Sequence, residues 1–364
     1  MNEQKRKILY LEVLRILAIF FVIFNHTGEN GFFLFSHYNS KEIQYWIYLA
    51  ISIFCKFSVP VFFMISGVLV LEKEKPSLRK IWTVKIPKMI LILVVASLGY
   101  YMYDCCMLPN MSFSWKEFLV RLYSNNLKYH LWYLYLYIAY LILIPFLYVM
   151  VKNMPDTSFV YLIILTIVFN SILPTLEYSL SQGNVSLNGN LKNLWALTTI
   201  VVYPSIGYYL NHIDMKKIKH KMMWCLWAFN IIGIGLSCYL TYYKSIVTGV
   251  LSEGESQSFH GTYTIVNCIT LFITVKYVVN HIKVPACIEK IILSLGSCTF
   301  GIYLWHAWFK SLPIYDRILD KLHHMGLNYM LSIWIVCLLL MLVSYLTTLI
   351  MSKIPVVRKL VGFK

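Results

Sequence analysis

Charge is scarce in this chain. Of its 364 residues, 13% are charged and 59% hydrophobic, whereas soluble domains average about 25% charged and about 45–50% apolar. A water-soluble fold of this length would lack the polar groups to cover itself. An aromatic content of 16% excludes disorder. Signatures of nucleotide and metal chemistry are missing as well. There is no GxxxxGK[ST], GxGxxG or HExxH, no GxSxG, and no His-x4-Asp pair. The nine cysteines are odd in number, mostly lie in apolar segments and form no CxxC or Cys/His ligand spacing. They read as small packing residues, so neither a disulfide framework nor a metal site is expected.

What is present is long apolar runs. A bilayer crossing needs about 20 mostly apolar residues, and ten such stretches occur: roughly 8–27, 43–71, 87–107, 130–150, 158–176, 193–211, 222–243, 262–281, 289–309 and 328–352. The expectation is an all-α, polytopic membrane helix bundle of about ten spans in one domain, 1–364, with no linker marking a second. The first apolar run continues past Phe24 without a small-residue cleavage site and contains an arginine, so it reads as a span and not a cleavable signal. The second stretch is too long for one straight helix. With Lys56 and Pro60 inside it, a break is expected near Ser58-Val59-Pro60.

Ten spans put both termini on one side. With that side cytoplasmic, twenty basic residues fall on inner segments and nine on outer ones, so both ends are expected inside. The inner set includes Arg79, Lys80, Lys85 and Lys88, and Lys353, Arg358, Lys359 and Lys364 of the tail. The net charge of +16 is then largely topological, and no nucleic-acid partner is expected.

Ionisable residues within a span cost about 2.5–3.5 kcal/mol each on insertion scales. The first stretch carries Glu12, Arg15 and His26. Glu12 and Arg15, three apart, share a face and can pair. Arg15 and His26, eleven apart, point within about 20° of each other and are separated by about 16 Å along the axis. One helix face thus carries a cation toward the inner end and a titratable base near the outer end. A plainer alternative is an Arg15–Glu12 pair with His26 capping the helix. Lys56 and Lys276 can snorkel to an interface, and Asp104 sits near an outer end.

The segment Tyr10-Leu11-Glu12-Val13-Leu14-Arg15-Ile16-Leu17-Ala18, closing on Asn25-His26, resembles the opening of the acyltransferase-3 family of membrane acyltransferases, whose first helix carries Arg, ten residues, then His. Four later stretches agree in order. Val59 to Gly67 resembles the family's Phe-Phe-x-x-Ser-Gly segment. Arg79 to Pro87 resembles its basic cytoplasmic loop ending in Pro. His130-Leu131-Trp132-Tyr133-Leu134, followed by Pro145, resembles its Trp-bearing helix. Gly301-Ile302-Tyr303-Leu304-Trp305-His306 resembles its Gly-Ile-Tyr-x-x-His element. Two positions depart from the usual pattern: Glu12 stands where Asp is common and Lys85 where Arg is common. Lys85 lacks the bidentate fork of an arginine.

The resemblance implies transfer of an acyl group, usually acetyl, from a cytoplasmic thioester such as acetyl-CoA to a hydroxyl. Acceptors are typically sugars of cell-surface polysaccharides or their lipid-linked precursors, and in some members peptidoglycan or small molecules. Acetyl-CoA would be a co-substrate, with no tightly bound cofactor, and the protein would sit in the cell membrane. The last span ends near Ser352, leaving no room for the fused extracellular esterase-like domain of larger members. On this reading His26 is the general base, because histidine titrates near working pH, with Glu29 available to orient its ring or simply solvated. Arg15, Arg79, Lys80 and Lys85 would bind the phosphorylated donor. Trp132 and Tyr133 could stack on an acceptor sugar or belong to an interfacial belt. His306 could be a second acid/base or a pocket wall, and Ser66-Gly67 would permit close helix packing. A transporter or flippase is the main alternative, although only one broken span is expected, with no counterpart in the second half. A membrane scaffold without chemistry would leave the Arg15–His26 alignment unexplained.

Overall fold

The computed structural model describes residues 3–73, 75–109, 111–182, 184–192, 194–248 and 261–360; Lys364 of the basic tail lies outside them. Among the described residues the regular structure is entirely helical. The principal helices, in chain order, are α1 (Glu3–Asn25), α2 (Ile43–Cys55), α3 (Ser58–Leu71), α4 (Leu78–Met107), α5 (Trp115–Tyr123), α6 (Trp132–Asn153), α7 (Asp156–Ser181), α8 (Thr199–His212), α9 (His220–Thr248), α10 (Thr264–His281), α11 (Ala286–Ser297), α12 (Thr299–Lys310), α13 (Pro313–His324) and α14 (Tyr329–Met351).

Helix occupies all ten apolar stretches of the sequence. Seven helical segments among the described residues are long and apolar enough to cross a membrane, with α2 and α3 counted as one, or eight if the bent pair α11–α12 forms one span. The chain is therefore a polytopic helical membrane protein. The other two stretches hold α1, whose side chains are described only from Leu9, and α8, which at 14 residues is about 21 Å long and shorter than a straight crossing.

The first helix is the hub of the bundle. It packs against α2, α3, α10, α11, α12 and α14, and Leu9, Tyr10, Leu11, Leu14, Ala18, Ile19, Ile23 and Phe24 are buried around its circumference. A helix apolar on every face belongs inside a bundle and not at its lipid surface. Its charges consequently face protein and a cavity, not hydrocarbon.

The expected break in the second stretch falls at Lys56-Phe57, just before Ser58. Carbonyls near it are taken up by side chains from other helices: Asn25 Nδ2 donates to Cys55 O at 3.3 Å and to Ser58 Oγ at 2.9 Å, and Asn267 Nδ2 donates to Phe54 O at 2.6 Å. Irregular backbone at membrane depth is tolerated where protein satisfies it in this way. Beyond the break, α3 crosses α8 at backbone contact. A Cβ on Gly67 would lie 2.0 Å from Pro204 O, and one on Gly207 would lie 2.2 Å from Met64 O. Gly67 thus does allow close helix packing.

Three expectations are corrected. The second half of the chain does contain a broken span: α11 and α12 meet at Cys298 with a 65° bend. No proline announces it between Pro285 and Pro313; the local signal is the weaker Gly296-Ser297 pair just before the bend. Lys276 does not snorkel. It is 7% exposed and donates to the carbonyls of Leu210, Asn211 and Ile213 at 3.1, 2.8 and 2.7 Å, satisfying the C-terminal end of α8. Finally, the basic stretch Arg79 to Pro87 is not a loop but the start of α4, capped by Ser77, whose side chain accepts from Lys80 N. A π-turn at Ile81–Lys85 precedes Pro87, as one at Val168–Ile172 precedes Pro174. In each case the wider turn accommodates a residue that cannot donate to the ladder.

Candidate active site

A cavity of about 550 Å³ lies beside α1. Arg15, Val22 and Asn25 of α1 and His26 just after it line the cavity and give it a direction: it extends from the Arg15 level to the His26 level, about 16 Å along the helix axis. Lys88 also lines it, as do Phe62, Ile65, Leu69, Val70, Met89, Ile92 and Leu136 from α3, α4 and α6. The cavity therefore combines three cations, Arg15, Lys56 and Lys88, an apolar stretch and polar side chains that include His26, His130, Ser58, Ser297 and Thr299.

Arg15 is held by an ion pair with Glu12, one turn below it on α1. Glu12 in turn packs against the backbone of α11, where a Cβ on Gly296 would lie 2.2 Å from Glu12 Oε2. Arg15 thus makes the Glu12 pair of the plainer alternative and still faces the cavity.

Nδ1 of His26 lies 2.9 Å from Nε2 of His306, with the two rings nearly parallel at 15°. His306, fully buried on α12, has its Nδ1 2.7 Å from Tyr303 O. A carbonyl can only accept, so His306 Nδ1 carries the proton, and in neutral His306 Nε2 is the acceptor. His26 then donates from Nδ1, which leaves its Nε2 with a free lone pair. This is the tautomer a general base requires.

Around this pair stand Tyr129, whose ring centroid is 4.9 Å from that of His26, and His130, at 6.2 Å from His26 and 5.3 Å from His306. Burial pushes the Tyr129 phenol up to about 12, so it remains a neutral donor at working pH. His130 was not singled out by sequence reasoning beyond its place in the His-Leu-Trp-Tyr-Leu element. No local pattern marks it, because its neighbours come from α1, α4 and α12.

The other candidates fall as follows. Trp132 and Tyr133, at the start of α6, line the cavity, as does Ser66. Glu29 is exposed, and the group beside His26 Nδ1 is His306. Arg79 and Lys80 are exposed and Lys85 is half-buried. None of these three lines the cavity, whereas Lys88, one turn further along α4, does. Asp104 is paired with Lys128 at 3.0 Å. Lys56 sits 4.6 Å from the centre of the Phe32 ring.

The family model for the acyltransferase-3 domain, described as an acyltransferase domain, matches residues 8–349, nearly the whole chain. The chain belongs to the acyltransferase-3 family. No curated protein and no solved structure gave a match. The chain is accordingly a multi-pass membrane acyltransferase, and the cavity, which runs alongside Arg15 of its first helix and His26 just after it, is its candidate active site.

Proposed function

We propose that this acyltransferase-3 protein is an O-acetyltransferase of the cell membrane. It moves an acetyl group from cytoplasmic acetyl-CoA to a hydroxyl of a surface polysaccharide or of its lipid-linked sugar precursor, with His26 as general base. The observation that carries the reading is the single cavity shared by Arg15, Lys88 and His26. The donor's phosphates sit among the cations at the inner end, with Arg79, Lys80 and Lys85 gathering them from solution. The pantetheine arm lies along the apolar stretch, and the thioester reaches His26. The acceptor hydroxyl enters from the opposite side, against Trp132 and Tyr133.

In the reaction, the acceptor oxygen attacks the thioester carbonyl carbon while His26 Nε2 takes its proton. Electrons shift onto the carbonyl oxygen, then return as the C–S bond breaks. The thiolate leaves and recovers the proton from His26. His306 accepts the hydrogen bond from His26 Nδ1 throughout and so steadies the imidazolium that forms transiently.

The test is incubation of purified protein with labelled acetyl-CoA and a glycan acceptor. Label should reach the glycan with the wild-type protein. His26→Gln, which can hydrogen-bond but cannot take a proton, should lose about 10²–10⁴ in rate. A His26→Gln variant that acetylates at the wild-type rate would remove His26 as the base.

One observation favours the transporter reading. Both broken spans contribute to the cavity wall, Lys56 and Ser58 from the first and Ser297 and Thr299 from the second, and broken helices at a binding site are a transporter feature. Glycan flux into vesicles without any acetyl transfer would decide for it.

A further inference from the structure

Both ring nitrogens of His130 are buried without a hydrogen-bond partner, although the residue is 1% exposed and lines the active-site cavity. Its ring is fixed on several sides. Tyr100, Tyr303 and His306 have ring centroids 5.1, 5.6 and 5.3 Å away, and its own carbonyl accepts from Tyr303 Oη at 2.7 Å. A buried polar side chain in native structure is nearly always paired, and a neutral imidazole always has one N–H to give. A group that is rigid, desolvated and unpaired is arranged for something that arrives.

The same corner holds a second set of donors. Trp132 and Tyr133 open α6, a helix of 22 residues whose N-cap, Leu131, supplies no side-chain cap. Among the described residues, Leu131 N is bonded to Lys128 O and Leu134 N to Leu131 O, but the N–H groups of Trp132 and Tyr133 have no such partner. The first N–H groups of a helix have no partner within it, and the helix dipole places partial positive charge there. Both residues line the cavity that also contains His26.

We infer that His130, together with the uncapped start of α6, is the oxyanion site of this enzyme: it hydrogen-bonds the thioester carbonyl oxygen as that oxygen takes up negative charge. The inference rests on the acyl-transfer reading above. In the step already written, attack forms the C–O bond and drives the carbonyl π electrons onto oxygen. The His130 N–H and the helix terminus stabilise that charge, and the electrons return to re-form the carbonyl when the C–S bond breaks. His130 keeps its proton throughout, while His26 alone carries the acceptor's proton. Donors fixed before reaction need no reorganisation as the charge develops, and removing one such donor typically costs about 10²–10³ in kcat.

The experiment compares His130→Phe, which fills the space without a donor, with His130→Gln, which retains an N–H. His130→Phe should lower kcat about 10²-fold or more with KM for acetyl-CoA little changed, and His130→Gln should recover at least a tenth of wild-type kcat. An acetyl-CoA analogue whose carbonyl oxygen is replaced by sulfur, a weak acceptor, probes the intact enzyme directly. It should lose at least tenfold more rate with wild-type protein than with His130→Phe. If His130→Phe does not accumulate in the membrane, His130→Leu takes its place, and the analogue's effect on wild type still stands as a test. Wild-type kcat in His130→Phe, equal losses in Phe and Gln variants, or a wild-type enzyme indifferent to the sulfur analogue would each overturn the assignment. If wild-type protein moves no acetyl group at all, it is the acyl-transfer reading that fails.

Discussion

Nδ1 of His26 lies 2.9 Å from Nε2 of His306, two residues separated by 280 positions in the chain. Because Tyr303 O takes the other His306 nitrogen at 2.7 Å, the direction of every hydrogen bond in this chain of groups is fixed. His306 therefore stands where a buried carboxylate stands in a serine-protease triad, orienting a histidine and selecting its tautomer. Being neutral, it stabilises the imidazolium less than a carboxylate would.

On the proposed mechanism His306 is a positioning residue, and its loss should appear in kcat and not in KM. His306→Phe should lower kcat by about 10²-fold, within the range a general base is worth, while leaving KM for acetyl-CoA near its original value. His306→Gln offers an amide oxygen to His26 Nδ1 and should rescue part of the loss. The wild-type rate should fall as pH is lowered, because only the neutral His26 accepts a proton; in His306→Gln that limb should persist at reduced amplitude. A pH–rate profile on the three proteins checks this, and a limb that vanishes in His306→Gln would make His306 the titrating group instead.

Arg15 is expected to serve the donor. Arg15→Ala should raise KM for acetyl-CoA by tenfold or more, and it also leaves Glu12 as an unpaired buried carboxylate, so some loss of stability should accompany it. Arg15→Lys restores the charge and the Glu12 pair but not the planar fork. It should recover stability fully and donor affinity only in part. Unchanged acetyl-CoA dependence in both variants would leave Arg15 with a purely structural role.

The α3–α8 crossing should not accept a methyl group. Gly67→Ala sets a Cβ 2.0 Å from Pro204 O, where backbone must move, so a loss of about 1–3 kcal/mol is expected. Combined with Gly207→Ala, the loss should be less than additive, since both open the same crossing. Gly99→Ala, where nothing lies within 4 Å, should be neutral or stabilising, as alanine is the better helix former. Thermal unfolding in detergent separates these cases.

The orientation has its own test. On a background with native cysteines replaced, single cysteines placed in 72–88 or 353–364 should resist a membrane-impermeant thiol reagent added to intact cells. Cysteines placed in 108–129 or 310–326 should react. Labelling of 72–88 from outside would reverse the bundle and put the Arg15 end of the cavity away from cytoplasmic acetyl-CoA.

Several features of this protein follow from sequence alone because their physics is local. Too few charged groups to cover a soluble surface, together with apolar runs of crossing length, require a helical membrane protein. The 3.6-residue period puts Arg15 and His26 on one face of one helix. Lys56 and Pro60 within an overlong apolar stretch predict the break found at Lys56-Phe57. Other features needed the packed bundle. The bend at Cys298 has no proline, and the Gly296-Ser297 pair before it permits a kink without requiring one. The burial of Lys276 depends on carbonyls at the end of α8, a helix more than sixty residues away. Above all, His26, His130 and His306 occupy three separate segments. Neither composition nor periodicity links residues so far apart; their meeting depends on α1 lying at the centre of the bundle, with the start of α6 and the bent helix α12 packed at the same end.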